Sequence, residues 1–214
     1  LAEGHKILKF VPASGAASRM FKNLFQYLED GEETAFIQEF LTHIDDFAFG
    51  DQLAGKSGQD AVRFLLEDMH YGDLPKGLLL FHKYEDGPRT PMEEHLVEAA
   101  LYADSNGEAN VHFTVSHEHL HLFKQKVSEK VDGYAKKFGV KYDISFSEQK
   151  PSTDTVAANP DGTPFRNEDG SLLFRPGGHG ALIENLNEID ADVIFVKNID
   201  NVVLDRLKPE TTEW

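Results

Sequence analysis

Phosphate chemistry asks for backbone amides that can approach an anion, a cation to neutralise it, and a carboxylate that can hold a metal. The stretch from Phe174 to Val203 offers a version of each. Gly177, Gly178 and Gly180 lie within the turn Pro176–Gly180, where glycine permits positive φ and close backbone approach. His179 sits among them. Leu182, Ile183, Leu186 and Ile189 then predict a short helix with one apolar side. Its N-terminus and the turn together would hold an anion. Val193–Val196 predicts a fully buried parallel strand, which ends in Asn198, Asp200 and Asn201. Ligands of open α/β sheets bind beyond the carboxyl ends of strands, so Asp200 is placed to hold a metal against a phosphate-bearing ligand. The alternative for Asp200 is a solvated turn residue.

A second such stretch lies near the start. Lys6–Pro12 predicts a first strand, followed by Ala13, Ser14, Gly15, Ala16, Ala17, Ser18 and Arg19. A helical stripe of Met20, Phe21, Leu24, Phe25 and Leu28 comes next. Strand, small-residue loop and helix start can cradle a phosphate. They equally make a tight βα turn whose small residues only permit close packing; Arg19 at the loop end inclines toward phosphate. Leu74–Gly77 carries Lys76 into Leu78–Phe81, which predicts a second buried strand.

Two other patterns carry less. Gly50–Ser57 matches G-x-x-x-x-G-K-S letter for letter. That motif needs a buried strand before it. Charged, helix-like His43–Phe47 stands there instead, so the stretch reads as a loop between two helices of Glu32–His70, with Lys56 still within reach of a phosphate. A nucleotidase built on Lys56 and Ser57 requires the missing strand. Of His117, His119 and His121, only the first and last share a helical face. They read as a surface face.

The elements that must position these residues follow in alternation. Met92–Tyr102 predicts a helix with Met92, Leu96, Ala99 and Ala100 inward, Val111–Val115 a strand, and Ser116–Tyr134 a helix. Lys141–Ser147 predicts a strand, and Pro151–Ser171 an excursion with a hairpin turn at Asp169-Gly170. The order implies an α/β fold of three layers, a mostly parallel sheet with helices on both faces. One domain over residues 1–214, with a helical insertion at about 30–72, fits the length. A net charge of −16 argues against nucleic acid or an anionic membrane as partner. The chain has no cysteine, which excludes thiolate chemistry and fits a reducing, cytoplasmic setting. It shows neither a leader pattern nor a membrane span, and nothing in it fixes an oligomeric state.

Four stretches, in order, resemble the sugar-1-phosphate nucleotidyltransferases, especially the UDP-sugar pyrophosphorylases. They are PASGAASRM at Pro12–Met20, Pro75-Lys76-Gly77, Phe146-Ser147-Glu148-Gln149, and PGGHG followed by Asn198-Ile199-Asp200-Asn201. The whole is also similar to an uncharacterised bacterial family related to these enzymes. The resemblance implies a Rossmann-like nucleotide-diphospho-sugar transferase fold of the glycosyltransferase-A type. It implies that Arg19, with the backbone of Ser14, Gly15, Ala16, Ala17 and Ser18, holds a triphosphate, and that Lys76 neutralises the leaving pyrophosphate. It implies that Gln149 and Gly177–Gly180 contact the nucleoside and that Asp200 binds Mg²⁺. Ser14 and Ala17 replace family glycines, and the helical insertion separates the first loop from Lys76. Further family residues lie downstream of Asp200, so the resemblance implies that 1–214 is the N-terminal part of a longer enzyme. A module that binds a nucleotide or sugar nucleotide without turnover is the alternative.

Overall fold

The computed structural model describes residues 4–213. Its frame is a sheet of parallel strands in the order β4 (Lys141–Glu148), β3 (Glu108–Val115), β1 (Ile7–Pro12), β7 (Val193–Val196). The two-residue β2 (Asp104–Ser105) adds to β3 antiparallel. β1 is central and all six of its residues are buried, which its Ile-Leu-Lys-Phe-Val run serves on both faces. Because β1, β3, β4 and β7 run parallel, their carboxyl ends open on one edge. The predicted mixed α/β class and mostly parallel sheet are present.

One sheet face is apolar. Val11, Val111, Phe113, Val115 and Phe146 pack with α4 (Pro91–Tyr102) and α5 (Leu120–Phe138). The other face is polar on β3 and β4. His112 there hydrogen-bonds Ser145 Oγ and Ser147 Oγ at 2.7 and 2.8 Å and stacks on Phe10. The insertion folds as α1 (Lys22–Asp30), α2 (Ala35–Thr42) and α3 (Gly58–Arg63) around its own cluster of Leu24, Ile37, Phe49, Leu53, Val62 and Leu65. A hairpin whose base is β5 (Thr155–Val156) and β6 (Phe174–Arg175) leaves the sheet after β4. Its far turn is at Asp169-Gly170, as the sequence predicts: Gly170 N donates to Asn167 O, with φ of 82° at Gly170. The short α6 (Ile183–Leu186) precedes β7, and α7 (Lys208–Thr212) follows it.

Several expectations are corrected. Leu78–Phe81 is not a sheet strand: Lys76–Leu78 is a 3₁₀ turn, and the backbone of Phe81 and His82 pairs with Arg89 in a tight local bridge. Its apolar residues are taken up by the helical insertion, where Leu79 is buried and Leu80 and Phe81 pack against it. Val193–Val196 is parallel but lies at the sheet edge, so Val193, Phe195 and Val196 are exposed. In α6 the inward residue beside Leu182 is Asn185, and Ile183 faces out. The reading of Gly50–Ser57 as a loop between two helices, by contrast, holds: a 3₁₀ turn occupies Gly50–Leu53 after another at Ile44–Asp46, between α2 and α3, and Lys56 lies over the Phe64 ring.

α4 departs most from its predicted face. Every residue from Pro91 to Ala99 is buried, including Glu93, Glu94, His95 and Glu98. Its start is fixed by a capping box: Thr90 Oγ1 accepts from Glu93 N, Glu93 Oε2 accepts from Thr90 N, and Pro91 occupies the first turn. Such a cap is worth about 1 kcal/mol. The buried acids survive because cations reach them from distant elements. Glu98 accepts from Lys9 at 2.7 Å, Lys197 at 2.8 Å and Tyr102 at 3.0 Å. Burial, with repulsion from Lys197 and Lys208, outweighs Glu98 and pushes the Lys9 ammonium down from 10.5 to about 7.

Two cations thus share one carboxylate, and that makes the cluster asymmetric. Lys9→Met leaves Glu98 paired with Lys197 and Tyr102, and is expected to cost less than about 1 kcal/mol. Glu98→Gln leaves two ammonium groups facing each other and is expected to cost about 3–5 kcal/mol. Lys9 holds its proton less tightly folded than unfolded, so the unfolded chain binds more protons between pH 7 and 10.5. The Lys9 contribution to stability therefore rises as pH climbs through that window, and Lys9→Met lacks the rise. Urea unfolding of parent and both variants from pH 6.5 to 9.5 measures this; equal losses for the two variants would contradict the asymmetry.

Candidate functional site

The edge at the carboxyl ends of β1, β3, β4 and β7 is built by loops that continue the strand hydrogen bonding. Ala13 N donates to Thr114 O, Gln149 N to Val115 O, Lys197 N to Phe10 O and Ile199 N to Pro12 O. These bonds set the first loop, Gln149 and Asn198–Asn201 in fixed register with one another.

Gln149 ties two of the sequence stretches together. Ser14 Oγ donates to its Oε1 at 2.8 Å, and its Nε2 donates to Gly177 O at 2.8 Å. Both ends of the amide are engaged as a strut between the first loop and the Gly177–Gly180 turn. Gly177 is held where a Cβ would come within 2.6 Å of Thr153 O and 2.9 Å of Ala181 Cβ. Close packing is thus its requirement: Gly177, Gly178 and Gly180 are absent from the positive-φ positions, contrary to the expectation from sequence. Added Cβ atoms at Gly15, Gly178 and Gly180 would meet nothing within 4 Å, so the backbone is open to approach there. The turn passes into a 3₁₀ stretch, His179–Leu182, and the four-residue α6, too short for the helix-terminus anion site expected.

Lys76 ties the other pair. Its backbone N donates to Gly15 O at 3.2 Å, and Ala16 bridges Pro75. Its Nζ donates to Asp200 Oδ2 at 2.7 Å. Gly77 allows this approach, since a Cβ there would lie 2.7 Å from Phe123 Cζ and 2.9 Å from Ile199 Cγ1. Asn198 Nδ2 is 3.4 Å from His179 Nδ1. Burial raises the Asp200 carboxyl, but the Lys76 hydrogen bond and charge, aided by His179, outweigh it and hold the group below its ordinary value. Ala17 is buried in the cluster of the helical insertion, and Ser18 is exposed. Arg19 is exposed, makes no hydrogen bond or ion pair with a described residue, and lines an open hollow along α1 with Lys22 and Phe25. It shares the loop but is not drawn into the Lys76–Asp200 pair.

Three residues that position the edge escape a reading of sequence. His95 Nε2 lies 3.1 Å from both Asn198 O and Ile199 O. Two carbonyls require it to donate, so the proton is on Nε2, and Nδ1 is buried without a partner. Burial first, then the Lys9 charge, pushes this imidazole well below its ordinary value, which keeps it neutral. Glu94 reaches the same segment through Lys208, whose Nζ donates to Glu94 Oε2 at 2.6 Å and Val203 O at 2.8 Å. Asn185, also buried, donates to Ser147 Oγ at 3.0 Å and Glu148 O at 2.8 Å, next to Gln149. The one local signal for α4 was Thr90-Pro91 followed by Glu93, a capping-box start.

The elements define a mixed α/β protein with a polar, cation-bearing edge at the carboxyl ends of its parallel strands. The chain belongs to the DUF4301 family, a domain of unknown function, whose model matches residues 1–214. No curated protein and no solved structure matches it. Among the described residues no helix is long and apolar enough to cross a membrane.

Gly77→Ala tests the packing that brings Lys76 to Asp200. The added methyl must displace the Phe123 ring or Ile199, and overpacking of this kind is expected to cost about 1–3 kcal/mol. A lowered urea midpoint with an unchanged slope is the expected result. A midpoint equal to the parent's would show that the Gly77 contact constrains nothing.

Proposed function

We propose that this chain is a nucleotidyltransferase-like domain of the glycosyltransferase-A type. It binds a nucleoside triphosphate or sugar nucleotide with Mg²⁺ and transfers a nucleotidyl group to a sugar 1-phosphate. One observation carries the reading. The stretches that resemble the nucleotidyltransferases lie far apart in sequence, yet Ser14, Gln149 and Gly177 are hydrogen-bonded in one chain and Lys76 and Asp200 in one pair, at one sheet edge. That is where ligands of open α/β sheets bind.

The reaction asks little covalent work of the protein. An oxygen of the sugar 1-phosphate forms a bond to the α-phosphorus, and the bond from that phosphorus to the pyrophosphate oxygen breaks. Lys76 is the cation for the departing pyrophosphate, whose charge grows as the bond breaks. The open backbone at Gly15 accepts a close phosphate, with Arg19 beyond it. Gly178–Gly180 and the face of Gln149 border the nucleoside. Mg²⁺ takes one or two carboxylates and completes its shell with phosphate oxygens and water, a pattern that a single carboxylate, Asp200, fits. When bound it supplies positive charge between the carboxylate and the phosphates. A reducing, cytoplasmic compartment suits this chemistry and the lack of cysteine.

A second reading, a module that binds a sugar nucleotide without turnover, draws on Gln149, whose amide is engaged at both ends. Pyrophosphate exchange into UTP from UDP-sugars separates the two, since exchange above background removes the second.

The reading stands or falls on binding. UTP is expected to bind in the presence of Mg²⁺, and Asp200→Asn to weaken that binding by at least about tenfold while leaving the thermal midpoint of the free protein close to the parent's. Isothermal titration at matched pH and salt measures it. Equal affinity of parent and Asp200→Asn for Mg·UTP would make Asp200 a turn residue and remove the metal assignment.

A further inference from the structure

We propose that Lys76 is a resident cation which occupies Asp200 until a divalent cation and a phosphate arrive together, so that each binds weakly without the other. The inference rests on the phosphate-and-metal reading of this edge and goes beyond it in assigning the coupling to one side chain.

The Lys76–Asp200 bridge is 2.7 Å long, with the two side chains 28 % and 38 % exposed. It differs in this from the pairs under α4, such as Lys9–Glu98 at 0 % and 0 %. The Lys76–Asp200 pair is therefore open to exchange of partners, whereas Lys9 and Glu98 are closed off from solvent. The Lys76 backbone is fixed, by its bond to Gly15 O and by Gly77 wedged against Phe123 and Ile199. Only the four-carbon stem is left to move, and the open backbone of Gly15 lies beside it. Among the described residues no group of three or more His, Cys, Asp or Glu could hold a metal ion, so a cation at Asp200 depends on ligands that the phosphate brings.

Charge balance then dictates the order. A divalent cation alone must displace the Lys76 ammonium, which is left half-buried and without an anion. A phosphate alone draws Lys76 away and leaves the Asp200 carboxylate facing another anion. With both present, Lys76 turns to the phosphate, Asp200 keeps a cation, and every charge is paired. Coupling of this kind is reciprocal: the factor by which phosphate tightens the metal is the factor by which the metal tightens phosphate.

Mn²⁺ serves as the probe, titrated against the protein and followed by electron paramagnetic resonance, with and without inorganic phosphate. Lys76→Met is expected to bind Mn²⁺ alone roughly twofold to fivefold tighter than the parent, the change that corresponds to no longer breaking a half-exposed ion pair. Lys76→Met with Asp200→Asn is expected to lose this gain. Phosphate is expected to tighten Mn²⁺ binding to the parent by about fivefold or more and to leave Lys76→Met within about twofold. Lys76→Gln is run beside Lys76→Met, with circular dichroism of each, so that a misfolded variant does not decide the result. Equal or weaker Mn²⁺ binding by the neutral variants, no effect of phosphate on the parent, or no Mn²⁺ binding by any of the proteins would overturn the proposal. The titration of UTP separates the two claims. Bound UTP without a gain in Lys76→Met ends the exchange and keeps the nucleotide reading; the gain without bound UTP does the reverse.

Discussion

The structure depends on how α4 keeps its acids out of water. Glu94, His95 and Glu98 are buried on one helix, and each is paired with a group between residues 197 and 208. Glu98 takes Lys197, His95 takes the carbonyls of Asn198 and Ile199, and Glu94 takes Lys208. An unpaired buried carboxylate is strongly destabilising, so these pairs are not optional decorations of a finished core. They fix the path of the chain immediately before and after Asp200. β7 alone would fix it poorly, because it is an edge strand with one neighbour and exposed side chains.

The same network separates what is rigid at the edge from what can move. Lys208 spends its three donors on Glu94, Val203 O and Asp205, and Arg89 grips both oxygens of Asp205. Tyr84 and His82 complete Glu94. Burial pulls the Glu94 carboxyl up, yet these donors outweigh it and hold the group below its ordinary value. The frame is thus charged and buried, with all three Lys208 donors engaged. Lys76 and Asp200 sit on that frame but outside it, their side chains half-exposed and joined by the Lys76 Nζ–Asp200 Oδ2 hydrogen bond.

Most of the fold was legible because strands β1, β3, β4 and β7 carry runs of apolar or alternating residues, and α4 and α5 carry helical periodicity. The failures have physical causes. Periodicity assigns Glu to the outside of a helix, whereas Glu98 is buried because Lys9 arrives from 89 residues away. Leu78–Phe81 is as apolar as a strand, but a local turn and the cluster of the helical insertion use those side chains instead. An apolar run cannot say whether its strand has one neighbour or two, which is why Val193–Val196 looked buried. At the candidate site, the order of the motifs pointed to one sheet edge, where Ser14, Gln149 and Gly177 are joined and Lys76 meets Asp200. Residue types alone could not reveal that Gln149 would be a strut, that Gly177 would serve packing, or that Asp200 would already hold Lys76.

The distribution of charge follows from the same arrangement. Among the described residues the buried charged groups are Lys9, Arg89 and Lys208 against Glu93, Glu94 and Glu98, three of each sign. In formal charge the buried groups balance, so the excess negative charge of the described residues lies outside the interior. An anion approaching such a surface is repelled over roughly a Debye length, about 8 Å at physiological salt. The carboxyl edge is the exception in kind. Lys76 stands there with its charge set against Asp200, and Arg19 and Lys22 line the adjoining loop and helix beside Glu29 and Asp30. A polyanion partly neutralised by a divalent cation meets less of this repulsion than a bare one. Under the proposed exchange, in which that cation takes the place of Lys76 on Asp200, surface charge and the Lys76–Asp200 pair favour the same species, the metal complex of a phosphate over the free phosphate.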